Sequence, residues 1–404
     1  MACKSFFFYT RVFVVLFRRT KVRRNRTENA PTKQVKSFYD AINLYQLIPV
    51  VSLNMNILVD LYHPAHLHLF RNAMKKLEER GHTVIWVTRD KDITVKLLQE
   101  YGIPYKTLTK ARKGLWNMFC ELLVHDYKVW REAVKNKVDL MVGTSVSIAH
   151  AGLFCKAKSW VFEEDDAKQA KLMTYLSYPF ASKIITPDFL AHENHGKKHV
   201  TYPSYHELAY LHPNNFKADP AILDELGLKE GEKYFIMRFV SLNASHDFGV
   251  KGLSFEAKKA LLDKLLQYGK VFITSEAELS EEFEPYRLRM PPHKMHDLLA
   301  FSSLCIGDSQ TMAIEAAVLG VPALRCNTFV GELSLLKELD DTYGLTFGFK
   351  PENGDELLEK IDQLLAEEDL KSLWQEKRQR FLEDKIDMTE WLVEFIESEM
   401  STSK

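Results

Sequence analysis

The residues that could do chemistry begin at Leu304-Cys-Ile-Gly-Asp-Ser-Gln-Thr-Met-Ala-Ile-Glu-Ala-Ala-Val-Leu-Gly-Val-Pro-Ala-Leu-Arg325. The stretch reads as strand, tight turn, helix, turn, strand. Gly307 permits an unusual backbone angle where the strand ends. Asp308 or Ser309 caps the helix that follows. Met312, Ala316 and Leu319 mark its buried face at helical spacing, and Gly320 ends it before Val321-Pro322 opens the next strand. A helix that starts at the carboxyl end of a parallel strand gathers backbone N–H groups and so favours an anion, with Ser309, Gln310, Thr311 and Met312 around it. Glu315 lies about one turn further in, where a carboxylate meets a ribose hydroxyl. The competing reading is an ordinary strand–helix–strand crossover with no ligand.

Other candidates fall at the ends of strands. His63-Pro-Ala-His66-Leu-His68 follows the first strand, and that turn faces the ligand crevice of a doubly wound sheet. His66 suits a phosphate hydrogen bond or a general base; His63 suits capping the strand end, and His68 packing on a helix face. Glu163-Glu164-Asp165-Asp166 ends another strand. Four carboxylates there could hold sugar hydroxyls, supply a base or bind a divalent ion. Alternatively, Asp165 or Asp166 caps a helix from Ala167. Arg238 ends a strand before the polar loop Ser241-Leu-Asn-Ala-Ser-His246-Asp247. It suits a two-pronged grip on a diphosphate, or a salt bridge to Asp247. Glu332 follows the next strand and is placed either to touch a sugar or to favour a helix dipole.

The elements that position these residues alternate. Strands are expected at Ile57–Leu61, Thr83–Thr88, Pro104–Thr107, Asp139–Gly143, Ser159–Phe162 and Lys183–Thr186, separated by helices that include a long amphipathic segment from Leu115 to Asn136. The His-, Tyr-, Pro- and Asn-rich run His195–Asp224 reads as a connection. Tyr234–Arg238 then opens a second alternating unit, and helices at Leu370–Asp384 and Met388–Met400 close the chain. Such alternation implies parallel sheets covered by helices on both faces.

Length and composition agree with two domains plus extras: 404 residues, of which 46% are hydrophobic. The net charge is −1 but unevenly spread, because residues 1–54 carry ten Lys/Arg and two Asp/Glu. The acidic remainder argues against nucleic-acid binding. Cys3, Cys120, Cys155, Cys305 and Cys326 form no CxxC pair, which suits a reducing cytosol and gives no metal signature. No Walker phosphate loop, no Gly-x-Gly-x-x-Gly after a strand and no nucleophile elbow is present. Residues 1–54 read as an extension outside the fold, with the natural start at Met55. The competing readings are a targeting segment or a weak membrane-surface anchor, since Phe6–Phe17 is apolar but too short for a span.

The Gly307-Asp-Ser-Gln-Thr-Met, Glu315-Ala-Ala and Gly320-Val-Pro skeleton resembles the nucleotide-sugar motif of GT-B-fold enzymes such as UDP-GlcNAc 2-epimerases and the peptidoglycan GlcNAc transferase. It is most similar to an uncharacterised prokaryotic family of that fold, in which Gly-Gly typically stands where this chain has Ser309-Gln310. The resemblance implies an α/β, GT-B-like chain with two Rossmann-like domains facing across a cleft. The expected bounds are 55–215 for the acceptor domain, 216–375 for the nucleotide-sugar domain, and 376–404 for terminal helices packing back on the first. It implies a glycosyltransferase with a UDP-linked donor. The donor would be held by Arg238, Gly307, Ser309, Gln310, Thr311, Met312, Glu315 and Glu332, with catalysis from His66, Glu163, Glu164 and Asp166. It implies no bound cofactor or metal, a glycan or lipid-linked acceptor, and a cytoplasmic protein, peripheral at the membrane if the anchor reading holds. A 2-epimerase and a non-catalytic sugar-nucleotide-binding subunit are the alternatives. Gly143-Thr144-Ser145 stands where epimerases carry Gly-Asp-Thr.

Overall fold

The first strand is buried on both faces, as a central strand of a parallel sheet must be: in β1 (Asn56–Leu61) every residue after Asn56 is buried, Asp60 among them. The computed structural model describes residues 54–90, 92–110, 114–229, 231–240, 252–275 and 278–402. The segment before Asn54 and the loop Ser241–Asp247 lie outside them.

The first lobe is one parallel sheet of β1, β2 (Thr83–Asp90), β3 (Tyr105–Lys110), β4 (Leu140–Gly143), β5 (Lys158–Phe162), β6 (Lys183–Pro187) and β7 (His199–Tyr202), in the order β3-β2-β1-β4-β5-β6-β7. Helices α1 (Pro64–Glu79), α2 (Asp92–Glu100), α3 (Leu115–Lys135), α4 (Val146–Gly152) and α5 (Lys171–Ser177) cover it. β7 lies inside the run expected to be a connection. Four residues, His-Val-Thr-Tyr, give too short an alternation to stand out, and the pairing Ile184↔His199 to Pro187↔Tyr202 is long-range. α6 (Leu208–Leu211) and α7 (Ala221–Glu225) lead to the second lobe.

There the sheet order is β12-β11-β10-β8-β9, again all parallel. The strands are β8 (Tyr234–Phe239), β9 (Lys270–Ser275), β10 (Leu304–Gly307), β11 (Ala323–Cys326) and β12 (Thr346–Phe349). The helices are α8 (Phe255–Leu265), α9 (Met295–Phe301), α10 (Gln310–Leu319), α11 (Ser334–Lys337) and α12 (Gly354–Leu365), followed by α13 (Leu370–Asp384) and α14 (Met388–Ser401). α13 runs through the boundary expected at 375/376.

α10 differs from its expected one-faced pattern: every residue from Met312 to Leu319 is buried. The second sheet lies on one side of it and α6 and α13 on others, so no face is left for polar residues. Ser309 accepts the Met312 N–H at 3.3 Å, and Gly320 closes the helix at φ 75°. The left-handed angle favours glycine at 320, and a Cβ there would also displace the Gln375 side chain of α13, whose Nε2 would stand 2.4 Å away. α14 returns to the first lobe. Its N-cap Asp387 accepts from Thr389 N–H at 2.9 Å, Thr389 donates to the Ala209 carbonyl at 2.7 Å, Glu397 pairs with Arg80 at 2.5 Å, and Phe395 meets Trp160.

Candidate functional site

The second sheet reverses its winding between β8 and β10, and Gly307 pairs with Arg238 across that line. The crevice outside such a reversal is where open parallel sheets take ligands. A Cβ on Gly307 would lie 2.0 Å from the Arg238 carbonyl oxygen, so glycine lets the two strand ends close up and brings the α10 N-terminus beside Arg238. Arg238 donates from Nη1 to Thr274 Oγ1 at 3.0 Å, which holds the guanidinium against the neighbouring strand β9. Asp308 is buried. It accepts the Val240 N–H at 2.7 Å and faces Lys258 Nζ at 3.7 Å, and burial raises its carboxyl above the usual range. Ser309, Gln310 and Thr311 are half-buried at the rim, while Met312 is buried. A cavity of about 210 Å³ is lined by Phe239, Phe255 and Ser275 among others, together with Val240 and Lys258, the two residues that face Asp308.

Glu315 lies in the seam between the lobes. Its Oε1 accepts the Tyr210 hydroxyl at 2.9 Å and contacts His296 Nε2 at 3.0 Å. His68 stacks beside this pair, its ring centroid 4.9 Å from Tyr210 and 5.1 Å from His296. Burial, followed by the nearby His296, holds its pKa well below the usual value. His68 thus packs as expected, but at the seam rather than on a plain helix face.

The carboxylate run parts into separate roles. Glu163 turns back to accept the N–H groups of Glu164 and Asp165 at 3.1 and 3.3 Å. Glu164 reaches His206 Nδ1 at 3.0 Å. Burial, then the charge of Asp165, pushes both Glu163 and Glu164 up to about 8, while burial brings His206 down to about 4. At neutral pH these groups therefore meet largely uncharged. Glu207 is raised further by burial and by Glu164.

Asp166 does not cap a helix at Ala167. α5 starts only at Lys171 and has no side-chain cap. Asp166 instead crosses the seam and caps α11, accepting from Ser334 N–H at 2.8 Å and Ser334 Oγ at 2.7 Å. Glu332 accepts from Gln169 across the same seam at 2.8 Å. Asp166, His192 and Glu193 also bring metal-ligating atoms within 4.8 Å of one another. Asp166, however, is engaged by Ser334, and Glu193 by Ala167 N–H at 2.7 Å and His195 at 2.9 Å.

The winding of the first sheet reverses between β1 and β4. His66 sits there, its ring nitrogens 2.5 and 2.6 Å from Thr144 Oγ1. His63 caps α1 through the Ala65 N–H at 3.3 Å rather than the strand end. Behind His66 runs a buried chain. Ser145 donates to Asp60 at 2.5 Å, Asp60 meets His125 at 3.0 Å, His125 meets Thr109 at 2.8 Å, and Thr109 donates to Glu121 at 2.6 Å. Sequence reasoning missed Asp60, His125, Tyr210, His206, Glu207 and His296. The first two lie within apolar or amphipathic segments where a polar residue has no period of its own. Tyr210, His206 and Glu207 lie in the run that reads as a connection, where the density of His and Tyr is the available signal.

Comparison with known proteins agrees with this fold. The family model described as Protein of unknown function (DUF354) matches residues 55–343. The uncharacterized protein MJ0665 of Methanocaldococcus jannaschii is 23% identical over 291 residues, covering 68% of this chain and 82% of that protein. Among solved structures, MnaA of S. aureus in co-structure with UDP superimposes with a TM-score of 0.62 at 13% identity, covering 86% of this chain and 97% of that one. HepE of Anabaena in complex with UDP and glucose gives 0.56 at 16% identity, with 87% and 100% covered. A glycosyltransferase of Rickettsia africae gives 0.52 at 15%, with 87% and 100% covered. The two parallel α/β lobes are those of the GT-B fold.

Proposed function

We propose that this chain, which belongs to the family described as Protein of unknown function (DUF354), binds a UDP-linked sugar and transfers the sugar to an acceptor hydroxyl. One observation carries the reading: the residue that precedes the α10 N-terminus and Arg238 stand side by side at the winding reversal of the second sheet, as the Gly307–Arg238 pair. A helix dipole and a fixed cation converging at a strand end suit a diphosphate. The diphosphate lies at Ser309, Gln310, Thr311 and Met312. The ribose diol takes Oε2 of Glu315, because the bonds from Tyr210 and His296 both fall on Oε1. Glu332 borders the sugar.

In the transfer step the acceptor oxygen bonds to the anomeric carbon as the bond to the diphosphate oxygen breaks. The acceptor proton passes to His66, and the leaving charge is met by Arg238 and the helix N-terminus. Glu163 and Glu164 hold protons at neutral pH, so they serve better as hydrogen-bond donors to the sugar or as acids than as bases. Titration at about 8 also leaves a deprotonated fraction near neutral pH, which favours a second reading, 2-epimerisation, in which one carboxylate takes the proton from a sugar carbon and a protonated carboxyl returns one.

Calorimetry with UDP, ADP, GDP and CDP tests the site. UDP is expected to bind one per chain, and Arg238→Ala to weaken it about ten- to a hundredfold, the worth of a charge-assisted hydrogen-bond pair. Absence of binding by all four overturns the reading. Incubation with UDP-GlcNAc separates the chemistries: UDP release marks transfer or hydrolysis, and a 2-epimer without UDP release marks the second reading.

A further inference from the structure

The polarity of α3 is reversed. Its sheet-facing side buries Glu121, His125 and Glu132 beside Val129 and Ala133, whereas Trp116, Phe119, Leu123, Tyr127 and Val134 are at least half exposed, Trp116 at 75%. These apolar residues fall at spacings of three, four, four and seven, so they form one stripe along the helix. The Trp116 and Phe119 rings lie 6.0 Å apart and those of Tyr127 and Trp130 5.7 Å apart. Trp130 donates to the Phe154 carbonyl at 3.0 Å, and Phe154, itself 75% exposed, carries the stripe past the end of α4. An apolar surface of this extent is unusual on a protein that nothing covers.

The exposed charges on and beside the stripe are mainly basic. Of the acids of α3, Glu121 and Glu132 are buried and Asp126 is held by His150 at 2.7 Å. Arg131 and Lys135 on α3, Lys137 after it and Lys156 beside Phe154 are exposed, as is Lys110 before it, which faces Asp90 at 3.4 Å. We infer that this face docks α3 in the plane of an anionic lipid bilayer, its aromatic stripe entering the headgroup–acyl boundary and its cations meeting lipid phosphates. A second copy of the chain fits less well, because a two-fold contact would set these cations against their own kind. The amino-acid sequence supplies a second basic and apolar segment in residues 1–54, and stable attachment generally takes two such signals. α3 starts directly after β3, so Trp116 lies toward the strand ends that carry the first-lobe site. The inference goes beyond the nucleotide site and does not depend on it.

Sedimentation of the full chain with phosphatidylcholine vesicles, with and without phosphatidylglycerol, tests it. Binding is expected with the anionic lipid and is expected to weaken at least about tenfold without it or in high salt. Trp116→Ser, Phe119→Ser and Leu123→Ser combined should melt like the parent and partition at least about tenfold less. Arg131→Glu with Lys135→Glu should lose the anionic preference while keeping the stripe. UDP affinity should stay unchanged in both variants, which keeps this test distinct from that of the nucleotide site. The inference is overturned if the parent does not sediment with anionic vesicles, if both variants bind them as the parent does, or if the parent is a dimer that the serine variant dissociates.

Discussion

Exchanging Glu315 for Gln and for Ala separates two roles of one carboxylate. Its Oε1 holds Tyr210 and His296 across the lobes, both at about hydrogen-bond length and largely buried. A hydrogen bond to a charged group is worth about 1.5–3 kcal/mol, and leaving its partner unpaired in a buried site costs a similar amount. The two bonds share an oxygen and do not add fully. Glu315→Ala should therefore lose about 3 kcal/mol and lower the melting temperature by roughly 4 °C. Glu315→Gln keeps an oxygen for Tyr210 and His296 but presents an amide NH₂ where the ribose diol needs an acceptor. It should melt within about 2 °C of the parent and bind UDP about tenfold more weakly. Thermal melts and calorimetry on the two variants read both quantities. If Glu315→Gln binds UDP as tightly as the parent, the ribose contact is wrong. If Glu315→Ala melts with the parent, the seam network contributes nothing to stability.

Further outcomes follow from the same geometry. Glu163 and Glu164 titrate near 8 in the folded chain against an ordinary 4.5, so the folded state holds protons that the unfolded chain releases. Their contribution is complete below about 4.5 and is lost as pH rises through about 8. His206, lowered to about 4 from 6.5, acts oppositely but only below 6.5. Between pH 6.5 and 8 the melting temperature should therefore fall, and Glu164→Gln should flatten the fall, as differential scanning calorimetry at several pH values will show. Asp166→Ala should cost about 1 kcal/mol, the worth of a helix cap. Adding Ser334→Ala should cost little more, a coupling that a double-mutant cycle of melts measures. Gly307→Ala places a Cβ 2.0 Å from the Arg238 carbonyl; it should cost about 3 kcal/mol through forced backbone displacement and weaken UDP binding, both measurable by melts and calorimetry.

The alternation of apolar strands and amphipathic helices determined the two α/β units from sequence, because parallel strands buried on both faces are mainly apolar and most helices that cover them are one-sided. Local chemistry likewise determined the Ser309 cap, the Gly320 stop and the strand-end positions of His66, Glu163 and Arg238. Those depend on residues a few positions apart. The order of the strands depends on pairings between residues tens of positions apart, so only the tertiary structure placed Gly307 beside Arg238 at a winding reversal. The partners of the carboxylates are more distant still: Asp166 reaches Ser334, Glu332 reaches Gln169, and Glu315 reaches Tyr210. Spacing carries no record of such contacts, since each polar residue satisfies any local pattern equally well until the lobes meet. The outward stripe of α3 follows the same rule. Its period announced an amphipathic helix, but which side faces water was decided by Glu121 and His125 joining the buried chain from Asp60, which leaves Trp116, Phe119 and Leu123 on the outside.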